Sequence, residues 1–323
     1  MPLNRRAFLS LIGTTACTRG DPRVRKAAGF LWSQQGADGG WHSATYGMLR
    51  SGQSLTPFVL DALLDLPDRP SGVARAVEFI RSHTNVDPVD YPNYATGLAV
   101  RAMVRAGAAG WEPMVSYLRG QQLADQNGWK PGDPPYGAWG MGGERRTPPD
   151  SGHVDLAMTR YVLEGLAAAG VKPPDPALER ALVYIGRCQN ADGGFFFSTV
   201  EASINKAGEA GSKFLSYGST TADGILALRA AGVAEQDARI TRAKQWLRDH
   251  HQYDRSPGFE GTREIWGAAL RFYYAAAIRR AMPELAVLLP AQRADGSFAN
   301  SSNLVKEDDP LIATAFALRA LVR

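Results

Sequence analysis

Four carboxylates stand where chemistry could use them. Asp155, Asp223, Asp308 and Asp309 each lie at or near the start of an apolar, helix-like stretch. A carboxylic acid held in a dry pocket and supported by a second carboxylate keeps its proton and can deliver it to an alkene. His153, Tyr217, Thr220, Glu264, Trp266 and Tyr273 occur near similar helix starts or within those helices, and Trp139 and Arg145 sit in a long loop over 127–152. Together these residues outline a ligand pocket, aromatic at depth and polar at its mouth. Each also has a plainer role, as a buried hydrogen-bonded polar group or as core packing. For Asp309, followed by proline, that role is the N-cap of the last helix. Metal chemistry finds no support. The five histidines are scattered apart from His250-His251, and Cys188 has no ligand-type neighbours, so no zinc cluster and no cofactor are expected.

The elements that must position these side chains are helices in pairs. Apolar residues at helical spacing, with charges opposite, predict outer helices over 22–34, 72–82, 112–122, 176–189, 238–250 and 283–292. Between them, stretches richer in Ala, Leu and aromatics predict inner helices over 57–66, 92–106, 154–169, 220–231, 262–280 and 310–322. Asp21-Pro22, Thr56-Pro57, Asp175-Pro176 and Asp309-Pro310 pair a capping residue with proline at the first helical position. No alternating run of β-branched residues suggests a sheet. Six such hairpins predict an all-α, (α/α)6 barrel. The last helix is as apolar as the middle ones, which favours closure onto the first repeat over an open array with polar caps. All inner helices would then run the same way, gathering their N-termini, with partial positive charge and free N–H groups, at one mouth. The 127–152 loop is expected to hang over a mouth.

One phrase recurs between outer and inner helices. Gln35-Gly36-Ala37-Asp38-Gly39-Gly40-Trp41 is echoed by Gln189 to Phe195 and by Gln292 to Phe298, and a looser copy runs from Gln122-Leu123-Ala124-Asp125 to Asn127-Gly128-Trp129. Worn copies fall around His83 to Asp87 and His251 to Phe259, which gives a unit of about 50 residues, in the range of repeat architectures. These phrases resemble the QW repeats of squalene–hopene cyclases and of the related prenyltransferase and squalene oxidase repeat proteins. Asp155-Leu156-Ala157-Met158-Thr159, Tyr217-Gly218-Ser219-Thr220-Thr221-Ala222-Asp223-Gly224 and Asp309-Pro310-Leu311-Ile312 are similar to inner-helix starts of that family. The resemblance spans nearly the whole chain after the first twenty residues. It implies the toroidal fold and a hydrophobic or isoprenoid ligand. The phrase itself reads as structural: Gly for a tight turn, Asp for a cap, the aromatic as a cover, Gln as a tie. The family's chemistry is not carried over intact. The Asp-x-Asp-Asp acid motif of class II cyclases is missing, its nearest approach being Lys306-Glu307-Asp308-Asp309, and the zinc ligands of protein prenyltransferases are missing too.

Composition sets the outer limits. The 323 residues are 45% hydrophobic, and 36 basic against 32 acidic residues give a net charge of +4. No basic cluster with interleaved aromatics is present, so nucleic-acid binding is not expected. Asn4-Arg5-Arg6-Ala7-Phe8-Leu9, with a short apolar stretch to Ala16, resembles a twin-arginine export leader over residues 1–20, followed by one barrel domain over 21–323. Cys17 offers a lipidation site and hence membrane attachment, which places the chain in the periplasm or anchored in the cell envelope, as a monomer. Three functions follow: a non-catalytic module for an isoprenoid, lipid or polypeptide; a terpenoid cyclase-like isomerase with a non-standard Asp acid; or a lyase or hydrolase of acidic polysaccharide held by Arg145 and Arg146.

Overall fold

The computed structural model of the protein describes residues 21–84 and 90–322; the expected leader over 1–20, with Cys17, lies outside the described residues. About half of the residues are helical, and the helices alternate between two concentric layers. The inner layer holds α2 (Leu55–Leu63), α4 (Pro92–Arg105), α6 (Leu156–Ala168), α8 (Gly218–Ala230), the pair α10 (Glu264–Ala269) and α11 (Arg271–Ala281), and α12 (Pro310–Leu321). Outside them run α1 (Pro22–Ser33), α3 (Gly72–His83), α5 (Glu112–Gln121), α7 (Pro176–Arg187) and α9 (Ala238–His250). Each inner helix packs on the next, α12 packs on α2, and α1 packs on α12, so the ring closes. The expected α/α toroid is therefore the fold. A two-stranded hairpin of β1 (Glu209–Ala210) and β2 (Lys213–Phe214) is the sheet among the described residues.

Burial follows the layers. Every residue of α2 is buried, whereas α7 buries Ala177, Leu178, Ala181, Tyr184 and Ile185 on one face. Proline at the first turn and an aspartate N-cap start α1, α7 and α12: Asp21, Asp175 and Asp309 each accept from the backbone N–H two residues on.

The recurring phrase fastens the hairpins. Gln35 Nε2 donates to Gly39 O in its own turn and to Gly72 O at the start of the next outer helix, at 2.9 and 2.8 Å. Gln122 does the same with Gly137 O and Ala177 O, and Gln189 with Gly193 O and Arg239 O. Gln292 completes the circle, since its outer partner is Arg23 O of the first helix, at 3.0 Å. In each phrase the backbone N–H of the aromatic residue donates to an inner-helix threonine: Trp41 to Thr56, Trp139 to Thr159, Phe195 to Thr221 and Phe298 to Thr314. The residue two before that aromatic must be glycine. Gly39 has φ +91°, and a Cβ there would stand 2.5 Å from Arg75 O of the neighbouring outer helix.

Three expectations need correction. First, the sixth outer helix, 283–292, does not form. Pro283 and Pro290 bracket a run in which Leu285, Val287 and Leu289 face inward and Ala286 and Leu288 outward. That period of two makes an extended segment, and Leu288 N donates to Tyr253 O. Second, the inner helix over 262–280 breaks at Leu270, where the carboxylate of Glu307 receives Phe272 N and Tyr273 N at 2.9 and 2.7 Å and so caps α11. Burial pushes Glu307 up to about 7. Third, the aromatic of the third phrase is Trp139, not Trp129. Gly137 has φ +92°, and its Cβ position runs into Arg180 O, so it is the equivalent of Gly39. An insertion has split that phrase.

Candidate functional site

The N-terminal halves of α2, α4, α6 and α12, with α10 and α11, border a cavity of about 490 Å³. Its depth is aromatic. Phe58 of α2, Tyr94 of α4, Tyr161 of α6, Tyr273 of α11 and Phe316 of α12 form the wall, with Phe58 and Phe316 centroids 4.8 Å apart, Tyr94 and Tyr161 5.1 Å, and Tyr273 and Phe316 5.3 Å. Such contacts hold the rings in fixed orientations and leave the space between them open. Nearer the mouth stand His153, Asp155, Lys206, Arg263, Trp266 and Lys306.

The far end is closed by charge. Asp61, fully buried in α2, receives Arg105 at 2.5 Å, Arg319 at shorter range and Arg101 at 3.4 Å. Glu164 of α6 receives Arg101 and, at 2.8 Å, Arg280. These guanidiniums hold both carboxyls below the usual range despite burial, Glu164 at about 2. Arg160 lies one turn nearer the cavity, its guanidinium 3.9 Å from the Tyr161 ring centroid. The cavity is thus open at one end and dead-ended at the other.

Of the residues singled out from the sequence, four meet at this cavity. Asp155 is the N-cap of α6, accepting from Met158 N and from His153 Nε2 at 2.7 Å each. The hydrogen bond to Asp155 raises His153 above its ordinary range, so the contact favours the charged form of the ring. Trp266 and Tyr273 are on the wall. Asp223 is one layer further in. Its carboxylate receives Tyr273 OH at 2.7 Å and lies 3.4 Å from Arg160, while Oδ1 has no hydrogen-bond partner. Burial pushes it up to about 6.

The others lie elsewhere. Asp309 caps α12 and accepts from Ser43, and Asp308 accepts from Tyr46 OH at 2.5 Å; together they clasp the 43–46 loop onto α12. Tyr217 is buried against Phe259, with centroids 5.0 Å apart. The Thr220 hydroxyl donates to Phe195 O and Tyr217 O. Glu264 is exposed and borders a separate shallow cleft with Asp254 and Arg255. Trp139 is fully buried, its indole N–H bonded to Leu118 O at 2.7 Å. Arg145 is exposed above Gly120 of α5. The 127–152 loop packs on the outer layer, where Arg187 of α7 donates to Asp133 O and Pro131 O; from it Met141 reaches the cavity.

Sequence reasoning missed Lys206, Lys306 and Arg263 at the mouth and the charged cluster at the floor. Asp61, Arg160, Glu164 and Arg319 did carry a signal: each is a charge inside an otherwise apolar inner helix, a position charges occupy only with partners. Among the described residues no group of three or more His, Cys, Asp or Glu could hold a metal ion, and no helix is long and apolar enough to cross a membrane.

Similarity to known proteins agrees with this architecture. Residues 152–286, from the approach to α6 to just past α11, match the squalene-hopene cyclase C-terminal domain. The type II terpene cyclase MstE from Scytonema, solved as a variant with its substrate geranylgeranyl dihydroxybenzoate, is 17% identical; the match covers 93% of this chain and 95% of that one with a TM-score of 0.58. Its apo form matches at 16% identity, 93% and 96% coverage and TM-score 0.58. A protein from Actinoplanes matches at 18% identity, 93% and 97% coverage and TM-score 0.53. No curated protein matches the chain. The molecule is thus a terpenoid cyclase-like α/α toroid. The resemblance to squalene–hopene cyclases read from the sequence is borne out over residues 152–286.

Proposed function

We propose that the cavity binds a hydrophobic small molecule of the isoprenoid class. The observation that carries this reading is the shape and lining of the cavity: about 490 Å³, aromatic at depth and dead-ended on the buried ion cluster. That volume is in the range of small-molecule sites. A dead end disfavours a threaded polypeptide. An acidic polysaccharide is disfavoured too, because Arg145 and Arg146, the residues assigned to its carboxylates, lie outside the cavity, with Arg146 paired to Asp150 at 2.7 Å. MstE, which shares the fold, binds a geranylgeranyl compound.

Thermal unfolding with geranylgeraniol or squalene tests the reading. A one-site ligand at a hundredfold excess over its Kd stabilises by about 2.7 kcal/mol, which moves Tm by several degrees. The absence of a shift with either compound at saturation overturns the proposal.

A second reading, proton-initiated isomerisation, is favoured by one observation. Asp223 retains its proton up to about 6 and is a single hydrogen bond, through Tyr273, from the cavity. Asp223→Asn would then abolish turnover while leaving ligand binding intact; equal turnover in the variant removes that role. The export reading rests on Arg5 and Arg6. Replacing both by Lys is expected to stop transport of a fused reporter, and continued transport contradicts it.

A further inference from the structure

Lys206 follows the 3₁₀ turn Ala202–Ile204 and sends its side chain along the cavity wall. Its Nζ lies 4.0 Å from the Phe197 ring centroid and 5.8 Å from that of Trp266. Among the described residues it makes no ion pair or hydrogen bond. Arg263, behind it, donates to the Lys206 carbonyl at 2.9 Å and fixes the backbone at this point. The side chain is half-buried, and loss of water lowers its pKa.

Among the described residues the wall offers Lys206 no direct ion pair, and the carboxylates Asp155 and Asp223 act on it only at longer range. Asp155 is the acidic side chain on the lining, and its two oxygens are taken by His153 and Met158 N. Lys306, across the mouth, lies 5.7 Å from the Tyr46 ring centroid and 5.9 Å from that of Tyr91, again without an ion pair. Four basic side chains, His153, Lys206, Arg263 and Lys306, therefore face one carboxylate around an aromatic cavity. A partly desolvated ammonium supported by ring faces and by carboxylates only at a distance is poorly compensated. An anion brought beside it would restore the balance, and the low local dielectric would make that contact strong. The same charge disfavours a cationic ligand.

We propose that Lys206 recognises an anion: the ligand is an amphiphile whose single carboxylate or phosphate headgroup pairs with its Nζ while the apolar tail lies on Tyr94, Tyr161, Tyr273 and Phe316. This rests on the reading of the cavity as a hydrophobic small-molecule site. The test is calorimetric titration of the full chain with laurate, dodecyl phosphate and dodecanol, which share one tail. The anion with the matching headgroup is expected to bind about tenfold or more tighter than dodecanol. Lys206→Met should erase that preference and leave dodecanol binding as it was, and Lys206→Arg should keep it, which separates lost charge from lost folding. Whichever of laurate and dodecyl phosphate binds tighter identifies the headgroup. Dodecanol binding as tightly as both anions overturns the proposal, as does a preference that survives in Lys206→Met. A preference lost only in Lys306→Met also overturns it. If none of the three binds, the hydrophobic-site reading falls and this one falls with it.

Discussion

The two ends of the inner ring are built from the same helices and do opposite things. In α4, Tyr94 and Leu98 face the cavity, and Arg101 and Arg105, further along the helix, enter the ion cluster. In α12, Ile312 and Phe316 face the cavity and Arg319 reaches Asp61. At the mouth, aromatic rings enclose open space and two lysines stand without ion pairs among the described residues. At the floor, the carboxylates Asp61 and Glu164 each gather several guanidiniums and no space is left for a ligand. The difference separates closure from recognition. Buried ion pairs are poor sources of net stability compared with apolar residues of the same shape, but strict about which partners meet. Here they fix how α2, α4, α6, α11 and α12 come together, and they stop the cavity.

The contrast can be broken at the floor first. Asp61→Ala leaves Arg101, Arg105 and Arg319 buried without their shared carboxylate. A loss of about 3–5 kcal/mol is expected in urea unfolding. A loss under about 1 kcal/mol would mean that the floor is hydrated and the ring is held in another way.

Two tryptophans sharpen the comparison. Trp139 is fully buried and tied by its indole N–H to Leu118 O, while Trp266 is half-buried on the cavity wall. Trp139→Ala should cost about 3–5 kcal/mol, and Trp266→Ala about 1 kcal/mol or less. Equal costs, by the same unfolding measurement, would contradict a wall that surrounds open space.

The smallest effect is one of pH. Asp223 keeps its proton to about 6, whereas an ordinary aspartate loses it near 3.8. The folded state therefore binds more protons than the unfolded one across that window, so the Asp223 contribution to stability falls as pH rises from about 4 to about 6. Asp61 and Glu164 run the other way: their lowered pKa values add stability above the ordinary carboxylate range, and it is lost as pH falls. Asp223→Asn removes only the first slope. Its stability relative to the unsubstituted protein should rise by about 2 kcal/mol between those pH values, and a flat difference would show that Asp223 titrates normally.

Much of the ring was legible because its signals are local. Gln35, Gly39 and Trp41 lie within seven residues and make one turn, so the phrase could be read as a fastening before its partners were known. The sixth outer position misled because its leucines are numerous, although the alternation of Leu285, Val287 and Leu289 was there to be read. Trp139 was mistaken for a ligand contact because the insertion parted Gln122 from its glycine and aromatic. The site was harder. The partners of Asp61 lie on α4 and α12, and Arg319 is 258 residues away, a pairing that no spacing along the chain announces. Lys206 sits in a polar loop where a lysine looks ordinary; only its placement between Phe197 and Trp266 makes it otherwise.

The most direct test of the account fills the cavity. Ile312 lines it from α12 and is half-buried, so Ile312→Trp places an indole in the open space without touching the ion cluster. The unsubstituted chain, titrated with geranylgeraniol, should show saturable one-to-one binding, and a folded Ile312→Trp variant should lose at least about tenfold in affinity, or about 1.4 kcal/mol. Binding that is unchanged in the variant would place the ligand elsewhere and contradict the account.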